Sequence, residues 1–338
     1  MKRLFALGLS LCHCGPAPMT QSPKPPEPVT EPSADTTEPE LPKADAKLSA
    51  ELRRNVEHLA SKIGERNTKK HWELASAADY LVDELSAAGY EVGRQGYEVD
   101  DVVAQNLDVS VGGAERGDEI LVVGAHYDSA PGSPGADDNA TGVAALLALA
   151  RRFRTQRLRR SLRFVFFVNE EPPYFQTDRM GSLVYAKHSV ARGDRLVGML
   201  SLESLGVYST APGSQHYPEG LAKGHPTQGD FVAVVADTGS KQFGTALLAS
   251  LKSGPVPAVF DALPADTEGV GWSDHWAFWQ VGVPAVMLTD TAPYRYAHYH
   301  KATDTPDRVD YERLTHVVLS IARAVEDVAN SERVPARE

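Results

Sequence analysis

The stretch "EILVVGAHYDS", residues 119–129, decides how this chain is read. An apolar run of strand length ends in a histidine and an acid, His126 and Asp128. Unbroken apolar runs of this length suit strands covered on both faces, as in a parallel sheet sandwiched by helices. The pattern returns in "LRFVFFVNEE", ending at Glu170 and Glu171, and in "LVGMLSLES", carrying Glu203. "FVAVVADT" and "VPAVMLTD" are read as further strands of the same kind. In open α/β sheets ligands bind in the crevice beyond the carboxyl ends of the strands. Acids meeting there repel one another unless something positive lies between them.

Helical patterns separate these runs. Leu48, Leu52, Val56, Leu59 and Ile63 fall on one face before Gly64, and a second helix is expected around 72–88, before Gly89. Val143, Ala144, Leu147, Ala150 and Arg151 mark another, and Leu314, Val317, Val318, Ile321, Val325 and Val328 one side of a last helix at about 310–330. The expected fold is α/β, a three-layer α/β/α arrangement with a mostly parallel mixed central sheet.

"GADDNATG", residues 135–142, places two acids ahead of an apolar run. Gly135 permits a tight turn, and the dipole of the following helix favours acids before it. Asp138 or Asn139 as a plain N-cap is the bland alternative. It leaves unexplained why His126, Glu171 and Glu203 end their own strands at the same edge. Asp128, two residues from His126, can orient the imidazole. Glu170 and Glu171 are neighbours and point apart, so one can bind metal while the other reaches water. Downstream, "GWSDHWAFWQVGVP" and "YAHYHKATDTPD" supply His275, His298, His300 and Asp304.

The chain has 338 residues, 42% hydrophobic and 23% charged, with a formal net charge of −11. That balance argues against a nucleic-acid footprint and against adhesion to anionic lipid. The two cysteines, Cys12 and Cys14, stand near the start, so a domain built from later residues has no disulfide or thiolate ligand. Metal chemistry must use His, Asp and Glu, which suit zinc and, less selectively, manganese or cobalt. Residues 1–14 have the outline of an export signal, with Cys12 placed for lipidation although Leu11 is a poor match before a cleavage point. Residues 15–46, rich in Pro, Thr and Glu, are expected to form a disordered tether, residues 47–332 the folded domain and residues 333–338 a tail. An exported protein follows, either a cell-envelope lipoprotein or a periplasmic or secreted one.

The ordered set "GAHYDS", "GADDNATG", "NEE", "SLESLG", "SDHWAF" and "HYHKATDT" resembles peptidase family M28, the zinc aminopeptidase family, over roughly residues 48–330. The resemblance implies a zinc-exopeptidase-like fold and a two-zinc site. His126 and Glu203 would hold one ion, Glu171 and His300 the other, and Asp138 would bridge them. Three carboxylates, two zinc ions and one hydroxide sum to zero charge, which makes a buried acidic cluster tolerable. The implied reaction is hydrolysis of N-terminal peptide bonds by attack of a metal-bridging hydroxide, with Glu170 as general base and a peptide or small amino-acyl substrate. Tyr299 is the candidate oxyanion donor, with His275 competing. His298 competes with His300 as ligand, and spacing to Asp304 favours His300. Asp137 is expected to be a structural acid.

Two departures matter. "EEPPYFQTDRMGS" is longer than the family's usual turn after the glutamate pair, and Glu203 stands where many members have Asp. A glutaminyl cyclase with one zinc is the alternative of a different reaction class, and a carboxypeptidase or dipeptidase of the same fold remains open. A binding module that has lost its ligands conflicts with the full ligand set. A serine hydrolase is disfavoured because Ser273 lacks a G-x-S-x-G elbow.

Overall fold

A computed structural model describes residues 41–338. The export segment, Cys12 and the tether up to residue 40 lie outside the described residues. Helix α1 (Ala46–Glu57) starts at Asp45, whose carboxylate accepts the amides of Lys47 and Leu48. The chain winds on through a wider helical turn, His58–Ile63, and stops at Gly64 with φ 85°. Helix α2 (His71–Ala87) leads into a hairpin, β1 (Gly93–Val99) and β2 (Val102–Val111). Strands and helices then alternate as β3 (Arg116–His126), α3 (Gly142–Phe153), β4 (Arg160–Phe167), α4 (Gly181–Ala191) and β5 (Arg195–Glu203). They continue as β6 (Val232–Asp237), α5 (Lys241–Leu251), β7 (Ala258–Leu263), α6 (His275–Trp279), β8 (Ala285–Thr289), α7 (Ala292–Arg295) and α8 (Tyr311–Asn330).

The strands form one eight-stranded mixed sheet in the order β1-β2-β4-β3-β5-β8-β6-β7. Its centre, β4-β3-β5-β8, is parallel, as the apolar runs require. Successive side chains of a strand face opposite sides, and the core divides accordingly. Leu121, Val123 and Ala125 of β3 join Leu162, Phe164 and Phe166 of β4 in a cluster with α1, α2, α3, α5 and α8. Ile120 and Val122 join Val165 and Phe167 in a second cluster with α4 and α6 on the other face. Both faces are therefore covered, and the three-layer architecture is the one the strand pattern implies. All six apolar residues read on the last helix are buried.

Two features differ from the sequence reading. Strand β6 runs antiparallel to β8, so its carboxyl end lies at the opposite edge from those of the central strands. There Asp237 pairs with Arg337 of the tail, and Glu338 donates its amide to Gly239. The hairpin β1-β2 is absent from the sequence reading, because its exposed, polar outer strand lacks an apolar run.

Candidate metal centre

Separate loops at the carboxyl edge of the parallel strands converge on one point. His126 closes β3 and Glu203 closes β5. Glu170 and Glu171 follow β4, Asp138 lies in the turn before α3, and His300 follows α7. Nε2 of His126 is 3.4 Å from Oδ1 of Asp138 and 3.2 Å from Oε2 of Glu203. Nε2 of His300 is 2.9 Å from Oδ2 of Asp138 and 3.2 Å from Oε2 of Glu171. The result is two groups that could hold a metal ion, His126–Asp138–Glu203 and Asp138–Glu171–His300, each with its candidate ligand atoms within 4.8 Å of one another and sharing Asp138.

The supports explain why these loops hold their places. Gly135 adopts φ 62°, and a Cβ there would meet the Asp138 carbonyl at 2.4 Å. Asn139, rather than Asp138, caps the following helix: its Oδ1 accepts the amides of Gly142 and Ser204. Asp138 is thereby left to face the site. The Asp304 carboxylate receives the amides of Asp137 and Asp138 at 2.9 and 3.3 Å. Asp137 turns away and accepts the Gly206 amide, as a structural acid should. Asp128 accepts the amides of Glu170 and Glu171 at 3.3 and 3.2 Å while lying 3.6 Å from Nδ1 of His126. It therefore positions three site residues instead of the one expected. Glu170 and Glu171 sit beyond the end of β4, so a turn, not strand alternation, sends their side chains apart.

Burial and crowding set the protonation pattern. For Asp138, burial opposes ionisation, but contacts with His126 and His300 outweigh it and hold the carboxyl well below its usual range. Burial also works against the charged form of His300, yet Glu171 and Asp138 lift its pKa to about 11. Glu203 and Glu170 likewise overcome burial to raise His126. Glu171 is pushed up to about 7, by burial first and by Asp138 among its acidic neighbours. Burial, with Glu171, Glu203 and Asp274 nearby, raises Glu170 well above the ordinary carboxyl range. The surrounding carboxylates thus favour positive charge at this point, as cations would supply.

The donor set fits such cations. Oδ1 of Asp138, Oε1 of Glu171 and Nε2 of His300 are buried and make no hydrogen bond among the described residues. These orphaned atoms, drawn from imidazoles and carboxylates, match the ligands zinc takes. Ser273, set aside above as a nucleophile, donates its hydroxyl to Oε2 of Glu203 at 2.8 Å.

The remaining sequence candidates separate cleanly. His298 turns to Thr303 at 2.7 Å and takes no part in either group. Tyr299 stacks on His300 with ring centroids 3.9 Å apart and lines a cavity beside Glu203. His275 is fully buried with Nε2 against the Val270 carbonyl at 2.7 Å, which removes that nitrogen as an oxyanion donor. The cavity walls are apolar, with Val235, Val259, Leu263, Met287, Trp272 and Tyr294 among them. On the other flank, Pro172 and Pro173 of the long turn line a small recess with Asn67, Lys69 and Glu171.

The model of peptidase family M28 matches residues 106–325. The chain is 36% identical over 289 residues to the uncharacterized protein YfbL of Escherichia coli, covering 82% of this chain and 88% of that one. It is 27% identical over 225 residues to the aminopeptidase YwaD of Bacillus subtilis, covering 64% of this chain but 43% of YwaD. In fold it is similar to BSAP, a zinc aminopeptidase from Bacillus subtilis, with TM-score 0.67, 16% identity and coverage of 88% and 98%. The glutaminyl cyclase of Fimbriiglobus ruber is similar too, with TM-score 0.59, 20% identity and coverage of 88% and 99%.

Proposed function

The chain belongs to peptidase family M28, and from that premise we propose that it is a two-zinc aminopeptidase that removes N-terminal residues from peptides. One observation carries this reading: the two oxygens of Asp138 face different imidazoles, each with its own further carboxylate. A single-metal site needs only one such group. His126, Asp138 and Glu203 would hold one ion and Asp138, Glu171 and His300 the other. Ions held there would polarise the scissile carbonyl and lower the pKa of a shared water.

The chain's own residues supply the rest. Glu170 accepts the proton of the attacking water and returns it to the leaving amine. Its carboxylate, 3.9 Å from Nε2 of His126, lies beside the metal ligands without belonging to either group. Tyr299, which stacks on His300, donates to the developing oxyanion. The apolar cavity beside Glu203 receives the side chain of the residue being released. An exported location, as a cell-envelope lipoprotein or a periplasmic or secreted protein, is part of the proposal and rests on residues 1–14 alone.

The test is a panel of amino-acyl peptides, free and N-acetylated, together with a glutamine-leading peptide and metal analysis. Hydrolysis confined to the free-amine peptides, with two zinc ions per chain, is expected. Pyroglutamate release with one zinc per chain would transfer the assignment to a glutaminyl cyclase, the reading with which some fold neighbours agree.

A further inference from the structure

Arg66 carries no side-chain exposure to solvent and lies in none of the family-like motifs. It follows the stop at Gly64, in "GERN", where a charged residue would ordinarily be solvated. Instead its guanidinium is spent on main-chain carbonyls from three segments. Nε donates to Tyr127 at 2.6 Å, in the loop leaving β3 directly after His126. Nη1 donates to Pro134 at 2.6 Å and Nη2 to Gly135 at 2.9 Å, in the turn that delivers Asp138. Nη1 also reaches Gly64 and Leu59, at 3.2 and 3.4 Å, at the end of the first helical segment. The main chain of Arg66 joins in: its amide meets Oγ of Ser129 at 3.1 Å, and its carbonyl accepts the Ser129 amide at 2.9 Å.

We propose that Arg66 is a positioning residue for the metal centre, a buried clamp that fixes the loops of His126 and Asp138 relative to each other. A planar guanidinium can serve carbonyls in several directions at once, which an ammonium on a flexible stem does less well. Its charge also sits behind an acidic cluster. Burial lowers its pKa to about 10, with Asp128, Asp304, Asp138 and Glu171 opposing that shift, so it stays cationic at neutral pH. Because the two metal-ligand groups share Asp138, displacement of its loop would disturb both. The inference rests on the two-metal reading above.

Arg160 provides an internal control. It too is buried, and it donates to Glu119 at 2.6 Å and to the Ser331 carbonyl at 2.6 Å. It lies at the opposite end of β4 from the ligands. The experiment measures zinc affinity by competition with a chromophoric chelator, alongside circular dichroism, for wild type, Arg66→Lys and Arg160→Lys. Zinc binding by Arg66→Lys is expected to weaken roughly 10- to 100-fold, the range seen for outer partners of metal ligands, with wild-type affinity in Arg160→Lys. A folded Arg66→Lys with wild-type affinity overturns the proposal, as does an Arg66→Lys that stays unfolded in saturating zinc, which would mark a general structural role. Failure of the wild type to take up two ions would instead count against the two-metal reading.

Discussion

Oδ2 of Asp138 lies 2.9 Å from Nε2 of His300 while its Oδ1 lies 3.4 Å from Nε2 of His126. One carboxylate therefore belongs to both candidate ligand groups, and no other described residue does. Asp138→Ala should release both ions, with an affinity loss well beyond the roughly 10- to 100-fold of an outer partner. Elemental analysis after gel filtration reads this directly. Two retained zinc ions would show that Asp138 does not bridge.

Glu170 calls for the opposite outcome. It touches the ligand cluster through His126 but stands in neither group. Glu170→Gln should keep the full metal content and lower kcat by roughly 10²- to 10⁴-fold, the usual contribution of a general acid–base. KM should change little. A variant that turns over at the wild-type rate would remove Glu170 from the role of base.

The central strands and three of the candidate ligands were legible in the sequence for one reason: His126 and Glu203 end, and Glu171 follows, an apolar run of strand length, whereas Asp138 and His300 lie in turns and draw their candidate roles from the family resemblance. His126 and Glu203 are the plainest cases. Supports were harder to read, because they act through main-chain atoms. Arg66, whose side-chain partners are all carbonyls, leaves no pattern beyond an ionisable residue next to a helix stop. The sequence pairs Asp128 with His126, whose Nδ1 lies 3.2 Å from the Asp128 carbonyl, but gives no sign that the Asp128 carboxylate also receives the amides of Glu170 and Glu171. Strand direction was also hidden. "FVAVVADT" has the composition of a central strand whichever way it runs, and only the pairing of β6 with β8 places Asp237 far from the centre.

The cavity beside Glu203 sets the third expectation. Val235 on β6 and Val259 on β7 form part of its apolar wall. Peptides beginning with a bulky apolar residue should therefore be preferred over those beginning with alanine or an acid. Val235→Phe should narrow the space and lower kcat/KM for leucyl and phenylalanyl peptides roughly 10-fold or more, with alanyl peptides less affected. Equal losses across the series would place the released side chain elsewhere.

His275 gives a prediction about stability. Burial lowers its pKa to about 4, with the Val270 carbonyl and Asp237 acting in the other direction. Between that value and the ordinary 6.5, the unfolded chain binds a proton that the folded chain refuses. Stability attributable to this residue is therefore intact above about pH 6.5 and declines as the pH falls toward 4, by an amount on the order of 3 kcal/mol. Buried acids pull the other way: Asp290, raised to about 7 chiefly by burial, favours the folded chain as the pH falls from 7 toward 4. The wild-type profile is the sum, so the histidine must be isolated by difference. His275→Gln keeps an N–H for Val270 and removes the titration. At equal metal load it should be less stable than wild type at pH 7.5, and the gap in Tm should shrink steadily as the pH approaches 4.5. A gap that stays constant across this window would mean that the imidazole is protonated as readily in the folded chain as in the unfolded one.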